Sequence, residues 1–108
     1  MKKSYVVKGK VQGVMFRQTV IRAAQKRSLQ AGATNLASGN EVSVSLIGED
    51  AGINEIISGL EKGEPINSWQ ALPESVSLLD EFIELSEHQV TMENVDSFNW
   101  SGGVEFYL

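Results

Sequence analysis

Apolar and polar residues alternate in two early segments of the chain, a pattern typical of β-strands with one buried face. In residues 5–11 the apolar face would consist of Tyr5, Val7, Gly9 and Val11. In residues 41–46 the inner positions are Val42, Val44 and Leu46, and the outer ones Glu41, Ser43 and Ser45. Residues 35–40 are rich in turn-forming Asn, Ser and Gly, so the preceding residues 30–36 are predicted to pair with 41–46 as a hairpin.

Two other segments repeat apolar residues at helical spacing. The first helix is predicted over about residues 17–29, and its inner face would hold Phe16, Val20 and Ala23 or Ala24. The second is predicted to begin at Asp50 as its N-cap, and its apolar stripe consists of Ile53, Ile56, Ile57 and Leu60. Gly63-Glu64-Pro65 would end this helix.

Alternation returns at Val90–Met92 and over residues 104–108, which predicts two closing strands. The order of elements predicts an α+β fold, a split β-α-β sandwich in which two helices cover one face of an antiparallel sheet of four to five strands. At 108 residues the chain is expected to be a single domain, 1–108. Residues 64–87 are interpreted as an irregular or helical insertion, either a third short helix from Pro73 or an extended segment.

The composition excludes several kinds of site. The chain has no cysteine, which excludes disulfides, thiolate metal ligands and cysteine nucleophiles. Its one histidine, His88, has no second His or Cys with which to bind a metal, and Glu81, Glu84 and Glu87 are interpreted as a solvated face. No metal site is therefore expected. No run of 18 apolar residues occurs and no signal-peptide core follows Met1, which predicts a cytoplasmic protein without membrane contact.

Charge is distributed unevenly within a net charge of −5. Residues 1–40 hold eight Lys and Arg and no acid, whereas residues 41–108 hold all 14 acids and a single base, Lys62. The acidic total disfavours nucleic-acid binding, for which Lys and Arg supply most of the affinity. A positive local field can still attract a small anion. Alternatively the basic residues of the first helix pair with later acids, and the two interpretations are compatible.

The junction between the first strand and the first helix has the features of an anion site. It reads Gly9-Lys10-Val11-Gln12-Gly13-Val14-Met15-Phe16-Arg17. Backbone amides at a helix N-terminus have no partner within the helix, and the helix dipole is positive there. Arg17 adds a guanidinium that can bind phosphate or carboxylate oxygens in bidentate fashion. The alternative for Arg17 is a surface ion pair. The nucleotide-binding P-loop and dinucleotide motifs are both absent.

Asn35 is the second candidate for a functional role. Its side-chain amide offers a donor and an acceptor, which suits the orientation of a water molecule rather than its activation by a base. An ordinary turn asparagine is the alternative.

The junction motif resembles the signature loop of the acylphosphatases, G-x-V-Q-G-V-x-F-R. Asn35-Leu36-Ala37-Ser38-Gly39 is similar to their second signature, G-x-V-x-N-x-x-x-G. The likeness covers residues 4–62 and returns at Trp100-Ser101-Gly102-Gly103-Val104, which resembles the family's aromatic-Ser-x-x-hydrophobic ending. The resemblance implies a ferredoxin-like βαββαβ fold, in agreement with the predicted order of elements.

The resemblance also implies hydrolysis of the carboxyl–phosphate bond of acyl phosphates to a carboxylate and inorganic phosphate. The phosphate would be bound by Gln12, Gly13, Val14, Met15, Phe16 and Arg17. The catalytic residues would be Arg17 and Asn35, with Asn35 positioning the attacking water. No cofactor is implied, and the expected partner is a small-molecule acyl phosphate. The alternative is an acylphosphatase-like domain with impaired turnover that binds phosphate or acts as a regulatory or interaction module.

One segment departs from the family's pattern. Before the asparagine the family usually has a glycine, an aromatic residue and a valine, whereas this chain has Ala31-Gly32-Ala33-Thr34. The missing aromatic and the glycine predict a looser strand, by about 0.5–1 kcal/mol for Gly32, and a less firmly held Asn35.

Overall fold

Two α-helices and a five-stranded sheet are the main elements of the computed structural model, which describes residues 1–98 and 102–108. In chain order these are β1 (Lys2–Lys10), α1 (Phe16–Lys26), β2 (Gln30–Asn35), β3 (Glu41–Ile47), α2 (Asp50–Leu60), β4 (Leu72–Leu78) and β5 (Val90–Thr91). Single turns of 3₁₀-helix occur at Leu85–Glu87 and Val95–Ser97.

The strands lie in the order β4-β1-β3-β2-β5, and every neighbouring pair is antiparallel. Val44 of β3 is opposite Tyr5 on one side and Ala33 on the other. This topology confirms the predicted α+β, ferredoxin-like βαββαβ class. It also places the start of α1 and the end of β2 at the same end of the sheet, because β1 and β2 are both antiparallel to β3 and therefore run in the same direction.

Both helices pack on one face of the sheet, as predicted, and the core lies between them. The fully buried side chains of this layer include Val7, Val42, Val44 and Leu46 of the sheet and Val20, Ile21, Ile53, Ile56 and Leu60 of the helices. The helix bounds differ slightly from those expected. α1 ends at Lys26, before Ser28 adopts a left-handed φ of 58°, and Glu49 rather than Asp50 is the N-cap of α2.

The strand that completes the sheet is not the one predicted. Residues 72–78 form β4 along the edge of β1, so the extended alternative is confirmed for this part of 64–87 and the helix from Pro73 is wrong. Because β4 belongs to the sheet, its residues are not an insertion. Residues 104–108 join no strand of the sheet, because β4 already occupies that edge. The tail instead pairs with residues 66–68 through backbone bonds from Ser68 to Glu105 and from Tyr107 to Ile66, both 2.9 Å. Trp100 and Ser101 lie outside the described residues.

The connection from β4 to β5 crosses the face of the sheet that the helices leave open. Ile83 donates its backbone N–H to the Ser4 hydroxyl at 2.9 Å and accepts a hydrogen bond from the Ser45 hydroxyl at 2.6 Å. Ser43 and Ser45, expected to face solvent, are consequently buried. The acidic side chains of this connection, Glu81, Glu84 and Glu87, are exposed as predicted. Among the described residues no helix has the length and apolar character needed to cross a membrane.

Candidate active site

The loop between β1 and α1 has an unusual backbone. Gly13 has a φ of 76°, which glycine adopts without steric cost, and Met15 has a φ of 61°, which is uncommon for a residue with a side chain. Left-handed residues that alternate with others bring successive N–H groups to one side of the chain and favour anion binding. No hydrogen-bond acceptor among the described residues pairs with the backbone amides of residues 13–17. The N–H groups of the loop are therefore without an acceptor among the described residues.

Gln12 links this loop to the β2–β3 turn. Its side-chain nitrogen donates to the carbonyls of Leu36 at 2.8 Å and Glu41 at 2.9 Å. Gln12 was predicted to bind phosphate as part of the loop whose backbone amides hold the anion; its side chain braces the loop. Gln12 and Val14 do not line the cavity described below.

Asn67 braces the same loop from the opposite side, and the sequence analysis missed it. This residue is completely buried. Its side-chain nitrogen donates to the carbonyl of Val14 and the hydroxyl of Thr19, both at 2.8 Å, and lies 3.4 Å from the carbonyl of Met15. The Thr19 hydroxyl in turn donates to Met15 at 2.7 Å. Asn67 lies in the segment left unassigned from the sequence, where no local pattern marks it.

Arg17 stands at the start of α1 without an acidic partner among the described residues. Its Nη1 donates to Oε1 of Gln89 at 2.9 Å, and its guanidinium lies 4.9 Å from the centre of the Phe98 ring. Partial burial lowers the pKa of Arg17, but an arginine remains cationic at neutral pH.

The other two arginines of this region behave differently from Arg17. Arg22 pairs with Asp96 at 2.7 Å and Arg27 with Glu55 at 3.0 Å. The interpretation in which first-helix bases pair with later acids is confirmed for these two residues. Neither of these ion pairs involves Arg17.

Asn35 and Arg17 donate hydrogen bonds to the same acceptor. Its backbone N–H donates to Gln89 Oε1 at 2.9 Å, the same oxygen that Arg17 contacts. Its side-chain oxygen is buried and accepts no hydrogen bond from any described residue. A buried acceptor without a donor costs about 1–3 kcal/mol, so this oxygen is suited to receive a hydrogen bond from a bound water or ligand.

A cavity of about 380 Å³ brings the predicted catalytic residues together. Arg17 and Asn35 line it, with Gly13, Met15 and Phe16 of the loop. Its remaining lining includes Trp69, Val90 and Phe98, which were not predicted. The structure thus places the two candidate residues, separated by 18 positions in sequence, on one concave surface.

The departure before Asn35 has a structural counterpart in His88. An added Cβ at Gly32 would lie 2.7 Å from the Cδ2 atom of the His88 ring, so the glycine makes room for this ring. The imidazole therefore covers β2 at Gly32, and the looseness expected there is offset by this packing.

Hydrogen bonds indicate which nitrogen carries the proton in neutral His88. The Ser45 hydroxyl donates to Ile83, so at 2.7 Å it accepts from Nε2 of His88. Nδ1 then accepts from the Thr34 hydroxyl at 2.9 Å, and the same hydroxyl accepts the Gln89 N–H at 3.0 Å. Burial lowers the pKa of His88 and favours this neutral form, against an opposing contribution from Glu87. Among the described residues no group of three or more His, Asp or Glu side chains is placed to hold a metal ion.

The acylphosphatase family model matches residues 3–90. The chain belongs to this family. A curated acylphosphatase from Dehalococcoides mccartyi is 42% identical over 60 residues, which span 56% of this chain and 66% of that relative, slightly less than two thirds of its length.

Solved structures agree with this assignment. The acylphosphatase from Bacillus subtilis aligns with 81% of this chain and 90% of its own at a TM-score of 0.62 and 26% identity. The acylphosphatase from Coxiella burnetii aligns with 82% of this chain and 85% of its own, at a TM-score of 0.59 and 31% identity. HypF of T. kodakarensis aligns with 78% of this chain but only 10% of its own, at a TM-score of 0.59 and 28% identity.

Proposed function

We propose that this protein hydrolyses acyl phosphates to a carboxylate and inorganic phosphate. Membership of the acylphosphatase family supports this activity. The observation that carries the residue roles is the buried, unpartnered oxygen of Asn35, a residue that lines the same cavity as Arg17 and the loop. A binding surface for phosphate alone has no need of this third group.

The loop and Arg17 hold the phosphoryl group in this proposal. The amides of residues 13–17 and the Arg17 guanidinium donate to its oxygens, and both are present before the substrate arrives. Donors oriented in advance stabilise charge as it develops in the transition state, which is the main requirement of phosphoryl transfer. Gln12 contributes by bracing the loop.

Asn35 orients the attacking water by accepting a hydrogen bond from it. The water oxygen forms a bond to phosphorus as the bond from phosphorus to the bridging oxygen breaks, and that electron pair leaves with the carboxylate. The proton of the water passes to a phosphoryl oxygen. A carboxylate whose conjugate acid has a pKa of about 4 is a good leaving group, so no general acid is needed.

Substitution of Arg17 and of Asn35 should impair hydrolysis in different ways. Arg17→Ala should lower kcat/KM for benzoyl phosphate about 10²–10³-fold and weaken the binding of inorganic phosphate, because a charge contact in the transition state is lost. Asn35→Ala should lower kcat with little change in phosphate affinity, because Asn35 acts on the water. Steady-state hydrolysis and calorimetric titration with phosphate measure the two effects.

Arg27→Ala is the matched control, because it removes an arginine of the same region that pairs with Glu55 away from the cavity. Wild-type turnover no faster than that of Arg17→Ala, with phosphate still bound, would contradict hydrolysis and favour the regulatory or interaction module. Absence of phosphate binding by the wild type would refute the loop as an anion site.

A further inference from the structure

The cavity extends beyond the loop and Arg17 into an apolar region that the proposed hydrolysis does not yet use. Its apolar lining residues include Trp69, Val90, Phe98, Val11 and Phe16, of which the last two are fully buried. The remaining polar residue of the lining apart from Arg17 and Asn35 is Gln18. Its volume of about 380 Å³ falls within the usual range for small-molecule sites, roughly 300–1,000 Å³. The apolar surface is continuous with the residues proposed to hold phosphate.

Trp69 is the exposed part of this surface, with 42% of its area accessible. Its backbone is nevertheless held in place, because the buried Asn67 side-chain oxygen accepts its N–H at 3.0 Å and that of Ala71 at 3.2 Å. The neighbouring Ser68 is bonded to the C-terminal tail at Glu105. An indole on a fixed backbone is a preorganised contact for a planar apolar group.

The charges of the cavity lining indicate which acyl groups it can accommodate. Arg17 is the only charged side chain among the described residues that line the cavity, and its guanidinium is already stacked on Phe98. A second carboxylate or phosphate on the acyl group would lose its hydration without gaining a cation.

We infer that this apolar surface is an acyl-group subsite that selects aromatic or other bulky, uncharged acyl phosphates over small or anionic ones. The inference rests on the proposed function, because it assigns the part of the substrate beyond the phosphoryl group. Trp69 contacts the acyl group in this arrangement and determines the preference.

Binding of analogues that cannot be hydrolysed tests the subsite independently of turnover. In phenacylphosphonate and acetonylphosphonate a methylene replaces the bridging oxygen, so the two differ only in phenyl against methyl. The wild type should bind phenacylphosphonate about tenfold more tightly, and a 4-carboxy group on the ring should remove that advantage. Trp69→Ala should abolish the tenfold ratio and leave the Kd of inorganic phosphate unchanged, whereas Trp69→Phe should keep most of the ratio.

Leu78→Ala is the control, because it removes an apolar side chain that is 62% exposed and does not line the cavity. Equal affinities of the wild type for both analogues, or an equal loss for all ligands in Trp69→Ala, would overturn the subsite.

Turnover of benzoyl and acetyl phosphate separates this inference from the proposed function. Hydrolysis of both at equal kcat/KM, corrected for their intrinsic reactivity, overturns the preference and leaves hydrolysis intact. Hydrolysis of neither, with the tenfold binding ratio retained, overturns hydrolysis and supports the subsite as a ligand site.

Discussion

Three neutral amide side chains hold the parts of the candidate site in place. Gln12 and Asn67 brace the loop from its two sides, and Gln89 joins Arg17 to the backbone of Asn35. Because an amide carries no net charge, these contacts fix geometry without neutralising the guanidinium. A carboxylate in place of Gln89 would also accept from Arg17 but would compete with an anion. In place of Gln12 or Asn67 it would lack the N–H donors that hold the loop.

Among single residues, Asn67 should affect both stability and phosphate binding, although it is distant in sequence from the loop. Asn67→Ala leaves the carbonyl of Val14 and the N–H groups of Trp69 and Ala71 without their partner, so we expect a loss of about 1–3 kcal/mol in the free energy of unfolding. Because the loop is then less preorganised, the Kd of inorganic phosphate should rise about tenfold. Urea titration and calorimetry measure the two quantities.

The control for Asn67 is Ile56→Val, a core change in α2 outside the cavity that should cost about 0.5–1.5 kcal/mol without altering phosphate affinity. An unchanged phosphate Kd in Asn67→Ala would show that Asn67 supports the fold but does not position the loop.

Among the elements, β2 illustrates how a departure from the family's pattern is accommodated. β5 pairs with β2 through Gly32–Thr91 and Ala33–Val90, and His88, which precedes Gln89 and β5, covers Gly32. The strand that presents Asn35 is therefore held on both edges and on the face away from the helices. The missing aromatic is replaced by an imidazole from a segment 56 positions later in the chain.

Gly32→Ala should accordingly destabilise the protein, although alanine normally favours folding over glycine. The new Cβ would lie 2.7–2.9 Å from the Cδ2, Cγ and Cβ atoms of His88, and overpacking of this kind costs roughly 1–3 kcal/mol. In a His88→Ala background the ring atoms are gone, so the cost should shrink. Thermal or urea unfolding of the four proteins of this cycle measures the coupling.

Gly103→Ala serves as the control for this substitution, because an added Cβ there meets nothing within 4 Å. A Gly32→Ala protein as stable as the wild type would show that the ring moves away at no cost.

In the molecule as a whole, two segments from the C-terminal part of the chain pack against the sheet and against the segment that braces the site. The connection to β5 covers the second face of the sheet, and the tail after residue 101 pairs with the segment that holds Asn67. The family match ends at residue 90, before this tail. These contacts support the prediction of a single domain over 1–108, which stays a prediction.

Stability should depend on pH through His88. Its pKa in the folded protein lies below the ordinary value of 6.5, mainly because of burial, so the unfolded chain takes up a proton first as pH falls. The stabilisation that neutral His88 gives the folded protein is complete above about pH 6.5 and is lost progressively below it. The free energy of unfolding should fall by at most about 1.4 kcal/mol per pH unit, because one proton is involved. Urea unfolding between pH 5.5 and 7.5, a range set by the ~6.5 value, measures this slope.

His88→Gln removes the titrating group and should flatten the dependence over that range. An equal slope in the variant would assign the pH dependence to other groups.

The features that the sequence alone determined are those encoded within a short stretch of chain. Gly13, the helix start and Arg17 lie within five residues, so the motif indicated the loop and its charge without knowledge of the rest. The alternation of β1 and β3 and the apolar stripes of the helices likewise predicted the layers, because burial of one face imposes a local period.

The tertiary structure alone decided which distant segments complete these local units. Residues 72–78 and 104–108 are both able to extend, and only the packed molecule shows that the former takes the edge of β1. Asn67, His88 and Gln89 reach Val14, Gly32 and Arg17 across more than 50 residues each. Their amide and imidazole groups suit many environments, so no local pattern identifies the partner; that choice depends on how the whole chain packs.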